Sequence, residues 1–338
     1  MDHRVMWIEE GCTFEAASDE SVLDAAVRAG VMLPSECCFG ACGTCRVRLV
    51  SGTVRYDEAP PGLSEAEAEQ GYALACQARA TSDLVLSTDQ PLVAPVPPAR
   101  QRASVRAIER HDAGVVALTL AIHGLERIAF RPGQYLHVHL GEAGVRSFSM
   151  ASAAGAATVE LHIRRIEGGF FTDTLLSTLL PGDTLDVELP LGGFGYHAED
   201  YRPIVMIATG TGIAPLHAML GDILADPDHP PVSLFWGGRT PSDLYLHDAL
   251  SALAAHHDDF DYTPVLSRAA PDWTGARGYV QHAVAERYPD LTEHAVYACG
   301  SPDMIASAKR EFASRGMSPR YFYADGFTFQ HVPAAVQA

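Results

Sequence analysis

Four cysteines are the residues in this sequence whose type and spacing most directly predict chemistry. Three follow a C-x4-C-x2-C spacing and the fourth comes thirty-one positions later; they are Cys37, Cys42, Cys45 and Cys76. Thiolates spaced in this way bind a [2Fe–2S] cluster of the plant type. Because such a cluster carries one electron at a time, these cysteines predict a protein that transfers single electrons.

Two alternative roles for these cysteines fit the sequence less well. A disulfide framework is typical of secreted proteins, and residues 1–4 do not have the composition of a signal peptide. Zinc is more often bound by paired C-x2-C motifs. Gly40 and Gly43 also favour a cluster, because glycine allows the positive φ and the close approach that a wrapping loop needs.

A glycine-rich turn, Gly210-Thr211-Gly212, follows one buried apolar run and precedes a predicted helix. Glycines there let the backbone approach a pyrophosphate, and the helix N-terminus favours its negative charge. Cys299-Gly300 follows another buried apolar run. Because ligands of open α/β sheets collect at the carboxyl ends of strands, we expect both turns to face one crevice. Taken singly, the first is also compatible with a tight structural turn and Cys299 with a buried thiol.

Two further segments suit a flavin dinucleotide. The first contains Arg146, Ser147, Phe148 and Ser149, and the second contains Gly168, Gly169, Phe171 and Thr172. An arginine pairs well with a phosphate, and a glycine-led helix start favours negative charge. Each segment alone is equally compatible with a surface arginine or an ordinary helix start.

The elements that must position these residues differ along the chain. Residues 1–92 predict a β-grasp unit with strands near 5–7, 13–15 and 46–50 and a capped helix over 21–30. Residues 90–100 form a proline-dense linker. Residues 100–198 predict an antiparallel barrel with strands at 104–110, 115–122, 135–140, 158–164 and 184–189, and with one helix at 172–180.

The last part of the chain has a different pattern. Apolar runs at 204–208, 232–236 and 295–299 alternate with helix-like stretches, as in an open parallel α/β unit over residues 199–338. The predicted fold class is therefore multidomain: a β-grasp ferredoxin-like unit, an antiparallel β-barrel and an open parallel α/β nucleotide-binding unit.

Composition restricts the environment and the partners. The net charge is −18, and residues 1–90 hold fifteen acidic and six basic residues. Nucleic acid is therefore not an expected partner, and an acidic face near the cluster could steer a basic redox partner. No apolar run has the length of a membrane span, and free thiols arranged for a metal cluster favour the cytosol, so we expect a cytoplasmic protein. A monomer is the default expectation.

The order of these motifs resembles that of the ferredoxin–NAD(P)H reductase superfamily, in the arrangement with an N-terminal plant-type ferredoxin. The resemblance covers nearly the whole chain, including a last strand at 321–327. Members with this arrangement are reductase components of multicomponent oxygenases. The resemblance implies that NADH gives a hydride to FAD, and that the [2Fe–2S] cluster then receives single electrons and passes them to a separate protein.

The resemblance also implies a flavin site. Arg146 would bind the FAD pyrophosphate, Phe148 would lie against the flavin and Ser149 would hydrogen-bond near its N5. Residues 169–172 would donate to the pyrophosphate. The strand lining the ribityl and phosphate side would be His162, Ile163 and Arg164. Many relatives have tyrosine where this chain has Phe148, so the stacking surface is kept and a phenolic hydrogen bond is lost.

For the nicotinamide dinucleotide, the resemblance implies contacts from residues 210–212. Cys299 and Gly300 would lie near the nicotinamide ring, and Phe327 would cover the flavin face that nicotinamide must reach. Arg239 could accept the 2′-phosphate of NADPH, whereas Asp243 would repel it and could bond a ribose hydroxyl instead. We expect NADH to be preferred, with NADPH left open.

Several partners are compatible with this layout. The favoured partner is the terminal component of a Rieske-type aromatic-ring-hydroxylating dioxygenase, reached directly or through a separate ferredoxin. Alternatives are a di-iron monooxygenase, a cytochrome P450 or a dehydratase of deoxysugar biosynthesis. A stand-alone NADH diaphorase or flavin sensor is a further hypothesis, and a non-catalytic binding module is hard to reconcile with three cofactor motifs in order.

Overall fold

The computed structural model describes residues 2–31, 33–35, 38–40, 43–88, 97–112 and 114–327. The predicted cluster ligands Cys37 and Cys42 lie outside the described residues, as does most of the predicted linker. Among the described residues, the strands form three sheets of five or six strands and one two-stranded sheet. The three larger sheets follow one another along the chain, and we call them the N-terminal, barrel and nucleotide units.

The N-terminal unit is built on a mixed five-stranded sheet with the order β2-β1-β7-β3-β5. Strand β1 pairs antiparallel with β2 and parallel with β7, and Val5 and Trp7 point from it into the core. This arrangement confirms the predicted β-grasp. The elements are β1 (Asp2–Trp7), β2 (Cys12–Ala17), α1 (Val22–Arg28), β3 (Arg46–Ser51), β4 (Val54–Arg55), α2 (Glu65–Glu69), β5 (Tyr72–Leu74), β6 (Arg79–Ala80) and β7 (Leu84–Ser87).

Helix α1 begins where the sequence supplies a cap. Ser21 has an extended backbone, and its Oγ accepts a hydrogen bond from the Asp24 backbone N–H at 3.0 Å. This bond satisfies one of the N–H groups that a helix start leaves without a partner. Val22, Leu23, Ala25 and Ala26 face the core. The predicted helix over 21–30 is confirmed.

The barrel unit has six strands, each paired antiparallel with its neighbour, in the order β11-β10-β13-β8-β9-β12. An antiparallel bridge between Met150 and Leu161 joins the end of β11 to β12 and closes the barrel. The five predicted strands are confirmed, and residues 145–149 form a strand of their own. The strands are β8 (Ala99–His111), β9 (Val115–Ile122), β10 (Tyr135–His139), β11 (Val145–Ser149), β12 (Val159–Arg164) and β13 (Thr184–Leu191).

The helical stretch predicted over residues 172–180 is present, but the structure has it at residues 170–178 and its first part is not α-helical. The structure has a π-helical turn over Phe170–Leu175, followed by the short helix α3 (Leu176–Thr178). The carboxylate of Asp173 accepts a hydrogen bond from the Gly168 N–H at 2.9 Å, and the Thr172 hydroxyl donates to the Ile166 carbonyl. These bonds tie the first turn back to the preceding loop, and such local bonds compete with an α-helical start.

The nucleotide unit is a six-stranded parallel sheet with the order β17-β16-β15-β14-β18-β19 and helices on both faces. Its apolar strands are buried on both sides, which confirms the predicted α/β fold. No helix within the described ranges is both long and apolar enough to cross a bilayer. The elements are β14 (Ile204–Thr209), α4 (Ile213–Ala225), β15 (Val232–Gly238), α5 (His247–Ala254), β16 (Phe260–Leu266), β17 (Ala276–Arg277), α6 (Val280–Arg287), β18 (Ala295–Gly300), α7 (Pro302–Ala313) and β19 (Phe322–Gly326).

The strand order reverses direction beside β14. The chain runs from β14 outward to β15, β16 and β17, and then returns to place β18 and β19 on the other side of β14. In open parallel sheets this reversal opens a crevice at the carboxyl ends of the two central strands. The crevice here lies after Thr209 and Gly300.

The cap of α1 can be tested by replacing Ser21 with alanine. We expect the helix start to lose about 1 kcal/mol of local stability, because the Asp24 N–H loses its acceptor. Hydrogen-exchange mass spectrometry should show faster exchange in α1. The control is Ser251→Ala, which removes an exposed hydroxyl from the interior of α5 and should not speed exchange there. Unchanged exchange in α1 of the Ser21 variant would contradict the capping role.

Candidate functional site

The crevice brings together the two glycine turns. Gly210–Gly212 forms a 3-10 turn between β14 and α4. A Cβ added to Gly212 would lie 2.3 Å from the Cys299 carbonyl oxygen, and one added to Gly300, at φ +125°, would lie 2.4 Å from the Thr209 hydroxyl. Only glycine permits approaches this close. The two turns therefore pack directly on each other at the edge where a dinucleotide would bind.

A buried tryptophan supports the first turn from behind. The Trp236 Nε1–H donates to the Gly210 carbonyl oxygen at 2.9 Å, and its ring meets Tyr245 edge-on with 5.2 Å between centroids. Thr211 lies half-buried in the middle of the turn. The turn conformation is thus fixed by the protein's own contacts.

A buried carboxylate joins the barrel to the crevice. Asp325 on β19 is 7% exposed, and its Oδ2 lies 3.4 Å from the Ser149 hydroxyl and 4.0 Å from the Cys299 thiol. The parallel register that pairs Cys299 with Asp325 sets the second contact. Phe327 lies two residues further on, and its backbone N–H donates to the Gly300 carbonyl at 2.8 Å.

Sequence reasoning predicted Ser149 and Cys299 as site residues and missed Asp325. The three side chains form one group, which we call the junction triad. Its members come from two different units and from strands far apart in the chain. The position of Asp325 just before Phe327 was the only signal in the sequence, because strand register cannot be read from composition.

The other residues of the β11 segment point in different directions. The Arg146 guanidinium donates to the Val145 carbonyl at 2.7 Å and to the Ala143 carbonyl at 3.3 Å. The Phe148 ring packs on Phe171 with 5.3 Å between centroids and against the barrel core. Ser147 is exposed. An aromatic ring and a guanidinium on one strand are compatible with stacking on a ring system and binding a phosphate.

The turn at 168–172 is organised by an acidic residue that the sequence reasoning did not single out. Gly168 has φ +72°, and a Cβ on Gly169 would lie 2.5 Å from the Thr172 hydroxyl oxygen. The Gly168 N–H first, and then the Arg165 guanidinium, lower the pKa of the Asp173 carboxyl. The turn is therefore compact and closed by a carboxylate.

Alternate residues of β12 connect the barrel to the nucleotide unit. The Ile163 side chain lies in the barrel core. The His162 Nε2 is 2.8 Å from the Glu160 carboxylate, and its Nδ1 is 3.0 Å from the Tyr245 hydroxyl. The carboxylate must accept, so Nε2 carries the proton and Nδ1 accepts from the phenol. Burial raises the pKa of Tyr245 and keeps it a donor. His162 and Arg164 thus face the nucleotide unit.

Asp243 is held by the protein on both carboxylate oxygens. Its Oδ2 accepts the backbone N–H groups of Arg239 and Thr240 at 3.0 Å, and its Oδ1 pairs with the Arg164 guanidinium at 3.2 Å. Burial would raise the pKa of this carboxyl, but the Thr240 N–H and Arg164 lower it on balance. The Arg239 residue is exposed. Asp243 is therefore a charged group that also ties the loop after β15 to the barrel.

The described part of the cluster site contains two converging thiols. The Cys45 and Cys76 sulfurs are 3.1 Å apart, and both residues are buried. Pairing of β3 with β5, and the bond from the Ala75 N–H to the Cys45 carbonyl, bring the two residues together. Gly40 and Gly43 have φ of +80° and +86°. Two buried sulfurs beside a left-handed glycine loop fit the donor set of an iron–sulfur cluster.

A second group of ligand-type side chains lies on the barrel, formed by His137, His139 and Glu188. The Glu188 carboxylate is 3.1 Å from His139 Nε2 and 3.8 Å from His137 Nδ1. The Arg100 guanidinium lies 3.1 Å from His139 Nδ1. A guanidinium can only donate, so His139 accepts at Nδ1 and carries its proton at Nε2. Arg100, His139 and Glu188 therefore form a chain of hydrogen bonds, and His137 lies at ion-pair distance from its end.

Three family models match successive parts of the chain. The model described as a 2Fe-2S iron-sulfur cluster binding domain matches residues 5–81. The oxidoreductase FAD-binding domain matches residues 104–196, and the oxidoreductase NAD-binding domain matches residues 206–310. The three matches occur in the order of the three sheets.

Individual relatives match over nearly their whole length. The chain is 34% identical to the toluate 1,2-dioxygenase electron transfer component of Pseudomonas putida, covering 97% of this chain and 99% of that one. It is 34% identical to the phenol hydroxylase P5 protein of Acinetobacter pittii, and the match covers 99% of this chain and 96% of that protein. The crystal structure of the Amycolatopsis cytochrome P450 reductase GcoB matches with a TM-score of 0.72 and 32% sequence identity. The match covers 96% of this chain and 98% of that chain.

Gly212→Ala tests whether the crevice binds the nicotinamide dinucleotide. The added Cβ would meet the Cys299 carbonyl at 2.3 Å, so the turn must shift. The position at which the turn would bind the pyrophosphate must then shift as well. We expect the KM for NADH to rise at least tenfold, a loss of about 1.4 kcal/mol, measured with ferricyanide as acceptor. The control is Gly221→Ala on α4, the helix that follows the turn, where a Cβ meets nothing within 4 Å and the KM should not change. An unchanged KM in the Gly212 variant would remove this turn from the site.

Proposed function

The chain belongs to the ferredoxin–NAD(P)H reductase superfamily, in the arrangement with an N-terminal [2Fe–2S] domain, and we propose that it supplies electrons to an aromatic-ring-hydroxylating dioxygenase. It is an iron–sulfur flavoprotein oxidoreductase with domains for NAD, FAD and a [2Fe–2S] cluster. The match to the toluate 1,2-dioxygenase electron transfer component carries the choice of partner. The junction triad, where the barrel and the nucleotide crevice meet, supports the path of the electrons.

When bound, FAD supplies the conversion between a two-electron hydride donor and a one-electron cluster. The Ser149 hydroxyl donates a buried hydrogen bond to the Asp325 carboxylate. The proposed role of Asp325 is to fix the direction in which this hydroxyl points. Cys299 packs behind the crevice and is fully buried, so it helps to exclude water from the junction. Phe327, fixed to Gly300 through its backbone, is proposed to cover the face that nicotinamide must reach.

The remaining site residues have proposed roles in binding. Phe148, supported by Phe171, offers an aromatic surface for the flavin. Arg146 and the turn at 168–172 are proposed to hold the FAD pyrophosphate, and Gly210–Gly212 the pyrophosphate of the nicotinamide dinucleotide. His162 and Arg164 are proposed to position the nucleotide unit against the barrel, because both bond across that boundary. Cys45 and Cys76, with Cys37 and Cys42, are the proposed cluster ligands.

The proposed partner is the terminal oxygenase, directly or through a ferredoxin. The toluate dioxygenase relative supports a dioxygenase. The phenol hydroxylase relative and the P450 reductase structure support a hydroxylase or a cytochrome P450 as second candidates. The net charge of −9 in residues 1–90 favours a partner with a basic docking face. The cytoplasmic location and the monomeric state stay predictions.

Reconstitution with the terminal component of a Rieske-type aromatic-ring-hydroxylating dioxygenase tests the proposal. We expect NADH-dependent oxygenase turnover with the wild-type chain, and its loss in Cys45→Ser, because that variant removes a cluster ligand. NADH reduction of ferricyanide through the flavin should persist in the variant. The control is Cys12→Ser, a half-buried cysteine outside the motif, which should retain turnover.

A stand-alone diaphorase would behave differently in the same experiment. It would reduce ferricyanide with NADH, and no oxygenase would depend on it. Oxygenase turnover that is equal in the wild type and in Cys45→Ser would contradict the proposed relay.

The preference for NADH can be measured by steady-state kinetics. The charged Asp243 carboxylate lies within hydrogen-bond distance of the Arg239 backbone and would repel a 2′-phosphate. We expect a higher kcat/KM for NADH than for NADPH in the wild type, and a smaller ratio in Asp243→Asn. A kcat/KM that is higher for NADPH would overturn the preference.

A further inference from the structure

The only lysine in the chain lies where the N-terminal unit meets the nucleotide unit. Lys309 is on α7. Its Nζ donates to the Gly62 carbonyl at 2.9 Å and lies 5.6 Å from the centre of the Phe322 ring. A Cβ added to Gly43 would lie 2.4 Å from this Nζ. The ammonium therefore touches the loop that carries Cys45.

A buried ion pair lies beside this lysine on the N-terminal unit. Glu67 is 4% exposed; its Oε2 accepts from the Ser64 N–H and hydroxyl at 2.9 and 2.8 Å, and its Oε1 pairs with Arg46 at 3.2 Å. Burial would raise the pKa of Glu67, but the charge of Lys309, the Ser64 N–H and Arg46 lower it on balance. The carboxylate is therefore ionised at neutral pH.

Two further bonds cross the same boundary. The Arg46 guanidinium donates to the Pro319 carbonyl. The Thr44 hydroxyl donates to the Ala324 carbonyl at 2.7 Å. Thr44 precedes Cys45 in the chain, and Ala324 precedes Asp325 of the junction triad. One hydrogen bond and two short covalent segments thus connect a cluster ligand to the residue that touches Ser149 and Cys299.

Charge and size both favour lysine here. The other cations of the chain are arginines, whose planar guanidinium needs more room than a compact ammonium. The gap between Gly43 and Gly62 leaves space for the smaller group. A cation at this point also favours the reduced, more negative state of a cluster, since net charge and hydrogen bonds set its potential.

We propose that Lys309, together with Arg46 and Glu67, is a clasp that holds the cluster-binding loop against β19 and raises the reduction potential of the cluster. Lys309 acts as a positioning residue for electron transfer between the two units. This role rests on the proposed electron relay and adds to it the contact through which the N-terminal unit docks.

The test compares Lys309→Met with Arg310→Met in the holoprotein. Methionine keeps most of the length of the side chain and removes its charge and donors. Arg310 is the next residue on α7, carries the same charge and is exposed. We expect only the Lys309 variant to show faster hydrogen exchange in peptides covering residues 60–67 and 322–326. Its cluster should also have a lower midpoint potential in an EPR-monitored redox titration.

The two electron-transfer activities should respond differently to the loss of Lys309. In the Lys309 variant, NADH reduction of ferricyanide through the flavin should be unchanged. Reduction of cytochrome c through the cluster should fall roughly tenfold, because a charge-assisted hydrogen bond that favours the docked state is lost. The Arg310 variant should match the wild type in both assays. If exchange, potential and cytochrome c reduction are all unchanged in Lys309→Met, the clasp is wrong.

Chemical labelling of the wild type provides a second test that needs no variant. Because Lys309 is the only lysine, acetylation by an N-hydroxysuccinimide ester can be assigned by mass spectrometry without ambiguity. We expect slow acetylation of Lys309 in the folded holoprotein and fast acetylation in urea. Equal rates in both states would overturn the clasp.

Failure of the clasp differs from failure of the proposed function. Preparations without flavin or iron–sulfur bands, or oxygenase turnover independent of Cys45, would contradict the relay itself. A normal relay with a freely reactive Lys309 would contradict only the clasp.

Discussion

A single buried carboxylate is the point on which the three units of this protein converge. Asp325 lies on β19, beside Cys299 of the nucleotide unit and within reach of the Ser149 hydroxyl of the barrel. The carbonyl of the preceding residue accepts from Thr44 of the N-terminal unit. A buried carboxylate is costly unless it is hydrogen-bonded, so this one favours the arrangement in which its neighbours stay in place.

The polar contacts of β12 also hold the barrel against the nucleotide unit, at a second place on their boundary. His162 and Arg164 leave the barrel and bond to Tyr245 and Asp243, while Ile163 between them stays in the barrel core. Strand alternation thus lets one segment stabilise a core and also bond to the neighbouring unit. The first glycine turn borders the same contacts, because a Cβ added to Gly210 would lie 3.8 Å from the Arg164 guanidinium.

The sequence predicts those parts of the structure that depend on local patterns. The cysteine spacing, the capped helix α1, the apolar parallel strands and the order of the glycine turns all follow from neighbouring residues. Asp325 and Lys309 could not be identified in this way, because their contacts are with residues 176 and 247 positions away. The π-helical form of residues 170–175 could not be predicted for a related reason: the bonds of this turn to the preceding loop compete with the α-helical pattern.

The position of β19 in the chain also has a consequence for biosynthesis. Domains generally fold in order of synthesis, N-terminal first, and β19 is translated after every other strand that the structure describes. The N-terminal unit can therefore complete its fold while the surface that receives it is still missing. Until β19 has been made, the hydrogen bonds from Thr44 to Ala324 and from Ser149 to Asp325 cannot form. During synthesis the N-terminal unit and the barrel must therefore fold without these contacts.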